Sequence, residues 1–172
     1  AAVAPSIKNG HPANFDSRTA GSQRGLARRE ARRRAAPTPG ITRLRRQLGI
    51  QGVVSLDPLT STPRTISRLD GYLTGKTSRK SADVALGYVR SHLNAFGLSA
   101  ADLTTLKLRK IYTDVTGIRH LSWVQYVGGL PVFASGVKAN VSGAGRLISV
   151  QRSPVHGRKA RESEPRLPAA AP

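Results

Sequence analysis

Between residues 118 and 151 apolar and polar positions alternate in three short runs separated by glycine clusters. The runs cover 118–127, 131–141 and 146–151, with Gly128-Gly129 closing the first and Ser142-Gly143-Ala144-Gly145 closing the second. Period-two alternation broken by glycines predicts an antiparallel three-strand meander, because glycine enters tight hairpin turns without steric cost. In the first run Leu121, Trp123, Gln125 and Val127 share one face, and His120, Ser122, Val124 and Tyr126 share the other. Such a sheet folds only if one face finds a cover.

Residues 82–96 supply it. Ser81 is the expected N-cap, Asp83 lies in the first turn, and Gly97 follows as the stop. At helical spacing Ala82, Ala85, Leu86, Val89, Leu93 and Phe96 fall within an arc of about 100°. Ser99 and Asp102 open a further helical turn through Leu103, and residues 106–113 read as a strand feeding back into the meander. Upstream, 53–56 and 64–69 read as two short strands of a hairpin, with Asp57-Pro58 and Pro63 in its turn. Residues 41–48 form a short helix on Ile41, Leu44 and Leu48, stopped by Gly49. The order implies an α+β fold, one amphipathic helix on a mostly antiparallel sheet whose second face has no cover of its own.

Composition changes this picture at the ends. The 172 residues carry 28 Lys+Arg against 9 Asp+Glu, a net charge of +19. Residues 1–40 hold few large apolar side chains and a dense run, Arg28-Arg29-Glu30-Ala31-Arg32-Arg33-Arg34. Such a segment cannot bury enough surface to offset its ordering entropy, so 1–40 is expected to be a disordered basic arm. The expected division is therefore arm 1–40, folded domain 41–155 and flexible tail 156–172. The chain begins Ala-Ala-Val-Ala-Pro and contains no Met, which reads as a processed or partial segment of an exported protein. No apolar run approaches membrane-spanning length.

The chemistry is mostly negative. Without cysteine there is no thiolate nucleophile and no disulfide. His11, His92, His120 and His156 include no pair at the i, i+4 spacing of a zinc-binding helix, and H-E-x-x-H and G-x-S-x-G are both missing. His92 reads as structural, and His120 has no carboxylate close to it in sequence. Asp57, Asp70 and Asp114 occupy turn positions. Gly143-Ala144-Gly145 lacks the setting of a phosphate loop. The arm is cationic but carries only Phe15, so it offers none of the interleaved aromatics of single-strand recognition. The residues contain no assembled active site.

The stretch HLSWVQYVGGLPVFASGVKANVSGAGRLISV resembles the fungalysin/thermolysin propeptide (FTP) domain of secreted zinc metalloproteases. The matching positions are His120, Trp123, Gln125, Gly129, Leu130, Pro131, Val132, Phe133, Val137, Val141, Gly145 and Arg146. The helix, the 106–113 strand and the upstream DPLTSTPRTISRLDGYLTG fit the same domain, so the resemblance covers about 49–155; Gly128 departs from the bulkier polar residue usual there. The resemblance implies a cystatin-like α+β domain and a non-catalytic role. It would be the prodomain of a secreted zinc metalloprotease, acting as intramolecular chaperone and inhibitor until cleaved, with its partner the cognate catalytic domain. Zinc would sit in that protease domain and no cofactor in this chain, and neither a membrane, nor nucleic acid, nor a small-molecule substrate is expected as a partner. His120, Trp123, Gln125, Pro131 and Phe133 would contact the partner, although Trp123 and Phe133 fit a core equally well. Arg158, Lys159, Arg161 and Arg166 are the candidate cleavage positions. Two alternatives stand beside this reading: a free-standing secreted protein-binding module, and polyanion or nucleic-acid binding through the arginine-rich arm.

Overall fold

A computed structural model describes residues 37–57 and 60–157. The elements run α1 (Pro39–Leu48), β1 (Gly52–Leu56), β2 (Pro63–Arg68), α2 (Ser81–Ser91), α3 (Leu93–Phe96), α4 (Ala100–Thr104), β3 (Leu106–Thr113), β4 (Arg119–Val127), β5 (Leu130–Val141) and β6 (Leu147–Gln151). All six strands pair antiparallel in one sheet of order β1-β2-β6-β5-β4-β3. The fold is α+β, as the sequence pattern implies. The upstream hairpin joins the meander through β2 and β6, pairing Ile66 with Val150. Gly128 and Gly129, at φ 58° and 80°, make the β4–β5 turn that the alternation called for.

The helices cover one face. Along β4, Leu121, Trp123 and Gln125 are buried, while His120, Ser122, Val124 and Tyr126 are only partly covered. Ile66, Leu121, Trp123, Val137, Ala139, Val141, Leu147 and Val150 meet Val84, Ala85, Tyr88, Val89 and Phe96 in one core, and Ile41, Leu44 and Leu48 of α1 join it. Helix α2 lies over β5 and β6, and α1 packs on α3 and β1. Burial of Phe96, Val89 and Ile41, each 0% exposed, stabilises by roughly 1.5–3 kcal/mol apiece.

The cover departs from the single helix expected over 82–96. Ser91 Oγ donates to the Tyr88 carbonyl at 3.0 Å, and His92 Nδ1 donates to the same oxygen at 2.8 Å. Side chains that take an i−3 or i−4 carbonyl compete with the helix ladder. The helix ends at Ser91, and α3 restarts at Leu93. The buried stripe is accordingly Val84, Ala85, Tyr88 and Val89, with Leu86 and Leu93 at its margin. Ser81 is not the N-cap. Lys80 takes that position without a side-chain bond, and buried Ser81 accepts from Arg119 Nη1 at 3.3 Å. At the other end, α1 already takes in Pro39 and Gly40, which the composition had assigned to the arm. The rest of that arm, up to residue 36, and the four cleavage candidates lie outside the described residues.

The Tyr88 and His92 rings lie against each other, tilted by 34° with centroids 4.3 Å apart, but the buried Tyr88 hydroxyl has no hydrogen-bond partner among the described residues. Burial pushes the phenol up to about 12. A buried donor without a partner costs stability, so Tyr88→Phe is expected to match or exceed the parent, by up to about 1 kcal/mol in a denaturant titration. A loss of stability in Tyr88→Phe would mean that the hydroxyl has a partner in solution.

Candidate functional site

Two structures are built on β4, one on each face of the sheet. On the uncovered face the β3–β4 turn organises a polar row. Asp114 Oδ1 accepts from the backbone N–H groups of Thr116 and Ile118 at 2.9 and 3.0 Å and from the Thr116 hydroxyl at 2.6 Å. These bonds turn its second oxygen toward His120, whose Nε2 donates to Asp114 Oδ2 at 2.8 Å. His120 Nδ1 meets Asn140 Oδ1 at 2.8 Å, and Asn140 Nδ2 donates to Ser149 Oγ at 2.9 Å. Tyr112 stacks on His120 at 4.7 Å.

The hydroxyl of Thr116, together with His120 and the turn amides, outweighs burial and holds the Asp114 carboxyl well below the usual carboxylate range. Asp114 in turn raises the His120 imidazole above its ordinary value, with a smaller push from Asn140. The carboxylate missing from His120's sequence neighbourhood is supplied across the hairpin, where Tyr112 and His120 are register partners. Both imidazole nitrogens are engaged and Ser149 is buried, so the row positions and charges His120 without presenting a nucleophile. Among the described residues no group of three His, Asp or Glu side chains could hold a metal ion.

On the covered face Gln125 anchors the segment that follows β6. Its neighbours in register, Val124 and Tyr126, pair with Gly136 and Pro131. One residue of β4 therefore faces four of β5, positions 132–135. This bulge leaves Gln125 without a register partner on β5, although it pairs with Leu106 on β3, and its side chain is 1% exposed and bonded within the fold. Ser135 Oγ donates to Gln125 Oε1 at 2.6 Å, Val155 N–H donates to the same oxygen at 3.0 Å, and Gln125 Nε2 donates to the Val155 carbonyl at 2.9 Å. Beyond it, buried Asp102 accepts from His156 Nδ1 at 2.7 Å and from Gly157 N–H at 3.1 Å. Burial alone would raise the Asp102 carboxyl. Bonds from the Ser99 amide, His156, the Ser99 hydroxyl and the Gly157 amide together outweigh it and hold that carboxyl well below the usual range. Residues 152–157 are thus a strap tied to the fold, with its own Pro154 fully buried.

The expected contact residues separate accordingly. Trp123 at 3% and Gln125 at 1% exposure lie inside the fold, Trp123 in the core and Gln125 under the strap. His120, Pro131 and Phe133 line one trough on the open face, about 940 Å³ in volume. Phe133 sits on the bulge and is 97% exposed, the opposite of a core position. Arg109, Lys110, Lys138 and Arg152 line the same trough and did not emerge from the sequence. The alternation on β3 could have flagged Lys110, but the register shift between Leu108 and Lys110 disguises its face.

The Fungalysin/Thermolysin Propeptide Motif family matches residues 104–154. The chain carries an FTP motif. The match takes in β3 to β6, the His120 row, the bulge and the first half of the strap, whereas the upstream hairpin and α2 lie outside it. FTP is a propeptide motif rather than a catalytic one, found in proteases of the fungalysin/thermolysin type. No curated protein matches the chain. No helix among the described residues is long and apolar enough to cross a membrane.

Two outcomes follow for the FTP region. Replacing Gln125 by Ala removes its bonds to the Ser135 hydroxyl and to both backbone groups of Val155, leaving the Val155 N–H only the Ser135 oxygen at 3.2 Å, and is expected to cost about 2–3 kcal/mol, with faster amide exchange at Val155. Unchanged exchange there would remove the strap's anchor. For the open face, the raised His120 value stabilises the fold fully below the unfolded value of about 6.5 and is lost as pH rises through the higher folded value. The lowered Asp114 value works in the opposite sense, present above about 3.9 and lost as acid protonates it. Asp114→Asn is expected to bring the His120 NMR titration midpoint down, and an unmoved midpoint would exclude the pairing.

Proposed function

We propose that this chain is the non-catalytic prodomain of a secreted zinc metalloprotease of the fungalysin type, which it assists in folding and keeps inactive until cleavage. The observation that carries the reading is the FTP match over 104–154, coextensive with the sheet's trough-bearing strands. The one-sided cover supports it. The helices bury one face, while the other presents Phe133 and a cationic surface to solvent. A prodomain that binds the folded protease and not its unfolded chain stabilises the folded state by mass action. Tethering raises the local concentration to the order of millimolar, so a modest intrinsic affinity suffices before cleavage and is lost on dilution afterwards. Arg158, Lys159, Arg161 and Arg166, just beyond the strap, are the proposed cleavage positions, and the catalytic domain is the proposed partner. Charge complementarity would set encounter rate and selectivity, with the exposed aromatic as an anchor.

The test adds the purified chain to a mature fungalysin-type metalloprotease from the same organism. Slower peptide hydrolysis and a higher refolding yield are expected. Absence of both effects would sink the prodomain reading.

A further inference from the structure

We infer that the trough on the open face takes an extended acidic segment of a partner polypeptide, its carboxylates met by Lys110, Lys138 and Arg152 and an apolar side chain laid against Phe133. The inference rests on the docking reading above and narrows it to one site and one ligand chemistry.

The cations form a line across the strands. Lys110 pairs with Ser122, Ser122 with Lys138, and Lys138 with Gln151, the residue before Arg152. At about 4.8 Å per strand, Lys110 and Lys138 stand roughly 10 Å apart, the advance of three residues in an extended chain. Among the described residues no Asp or Glu lines the trough, and Lys110, Lys138 and Arg152 make no ion pair. His120 is paired with Asp114, so the net positive charge of the trough rests on the lysines and arginines. Cations gathered in a concave surface without counter-charges favour an anionic occupant.

The rim carries a second, independent signal. Ala134 stands at φ 53°, a left-handed conformation unfavourable by about 1–2 kcal/mol for a residue with a Cβ. A Cβ at Gly136 would collide with the Trp123 carbonyl, so the bulge is pressed directly onto β4. This strained backbone turns Ser135 inward to Gln125 and Phe133 outward into water. A fully exposed phenyl ring on a strained turn beside unpaired cations is suited to an interface anchor.

The same features choose among occupants. A second copy of the chain would bring the same cations into the trough, and like charges oppose that contact. Successive nucleic-acid bases need open aromatic faces, but Tyr112 is stacked on His120 with Lys110 Nζ 4.9 Å from its ring, leaving Phe133 alone. An acidic polypeptide with an apolar residue between its carboxylates fits both elements.

The experiment measures fluorescence anisotropy of a labelled peptide, Glu-Ala-Phe-Glu-Ala-Ala-Glu, titrated with the full chain at low salt. Binding is expected, and the lysine counterpart of the peptide should not bind. Lys110→Glu with Lys138→Glu should weaken binding by about tenfold or more. Arg43→Glu with Arg46→Glu makes the same charge change on the exposed side of α1 and should alter it less than about twofold. Phe133→Ala should weaken it several-fold without changing thermal stability, which keeps the test valid if a charge-reversal variant folds poorly. The inference is overturned if the parent chain does not bind, if both charge-reversal pairs weaken binding equally, or if hexathymidylate displaces the peptide at lower concentration than unlabelled peptide does. No protease is present, so failure of the inhibition assay leaves this result standing, and failure here leaves that assay to be judged on its own.

Discussion

Burying the amide of Gln125 is the constraint from which the distinctive parts of this molecule follow. A primary amide taken out of water must find partners for its oxygen and nitrogen, or the fold loses about 1–3 kcal/mol for each group left bare. Gln125 sits on the core side of a central strand, where Leu121 and Trp123 precede it in the same phase. Two departures from regular sheet satisfy it. β5 swells into a bulge that presents Ser135, and the chain after β6 folds back to offer the N–H and carbonyl of Val155. The bulge that turns Ser135 in also turns Phe133 out, so the buried amide and the exposed anchor are two sides of one backbone event.

The second constraint is the small size of the cover. With α2 over β5 and β6 and α1 toward β1, the edge strand β3 is met by the five-residue α4 that precedes it. Leu108 and Ile111 face the helical side in register with Trp123 and Leu121, yet they are 45% and 52% exposed. An open edge bearing apolar side chains invites pairing with another chain. Lys107, Arg109 and Lys110 along β3 oppose pairing with a second copy through like charge. Arg109 and Lys110 also line the cationic trough, so protection of the edge and the proposed attraction of an acidic partner would share these two charges.

What the sequence made legible follows from the range over which each signal acts. Strand alternation, the Gly128-Gly129 turn and the Gly97 stop are set by neighbours within a few residues, and all are where the pattern places them. The capping box of Ser99 and Asp102 was readable for the same reason. The break at His92 escaped because periodicity counts apolar spacing and ignores side chains that capture the Tyr88 carbonyl. His120's partner escaped because Asp114 is close only once the hairpin closes. For Trp123 and Phe133, one buried and one bare, alternation gave no means of choosing. The difference is made by a bulge whose only sequence trace is Gly136.

Arg152 still lines the trough, but the strap beyond it is held on the opposite face, and this fixes how a tethered partner could engage. Val155 is held on the helical side by Gln125, and Gly157 ends against Asp102 of α4 on that side. The trough opens on the other face, one sheet thickness away. A partner joined downstream reaches it only by rounding the edge of the sheet, a path set by backbone bonds up to residue 157. Ten extended residues span about 33 Å, against a layer spacing of about 10 Å. A tether of that length would therefore not limit docking in cis. Anchoring the exit point to Gln125 and Asp102 would instead narrow the volume that a partner joined there searches, and a smaller volume raises effective concentration. A variant that frees Val155 would enlarge that volume, so the integrity of the core would bear on occupancy of the open face.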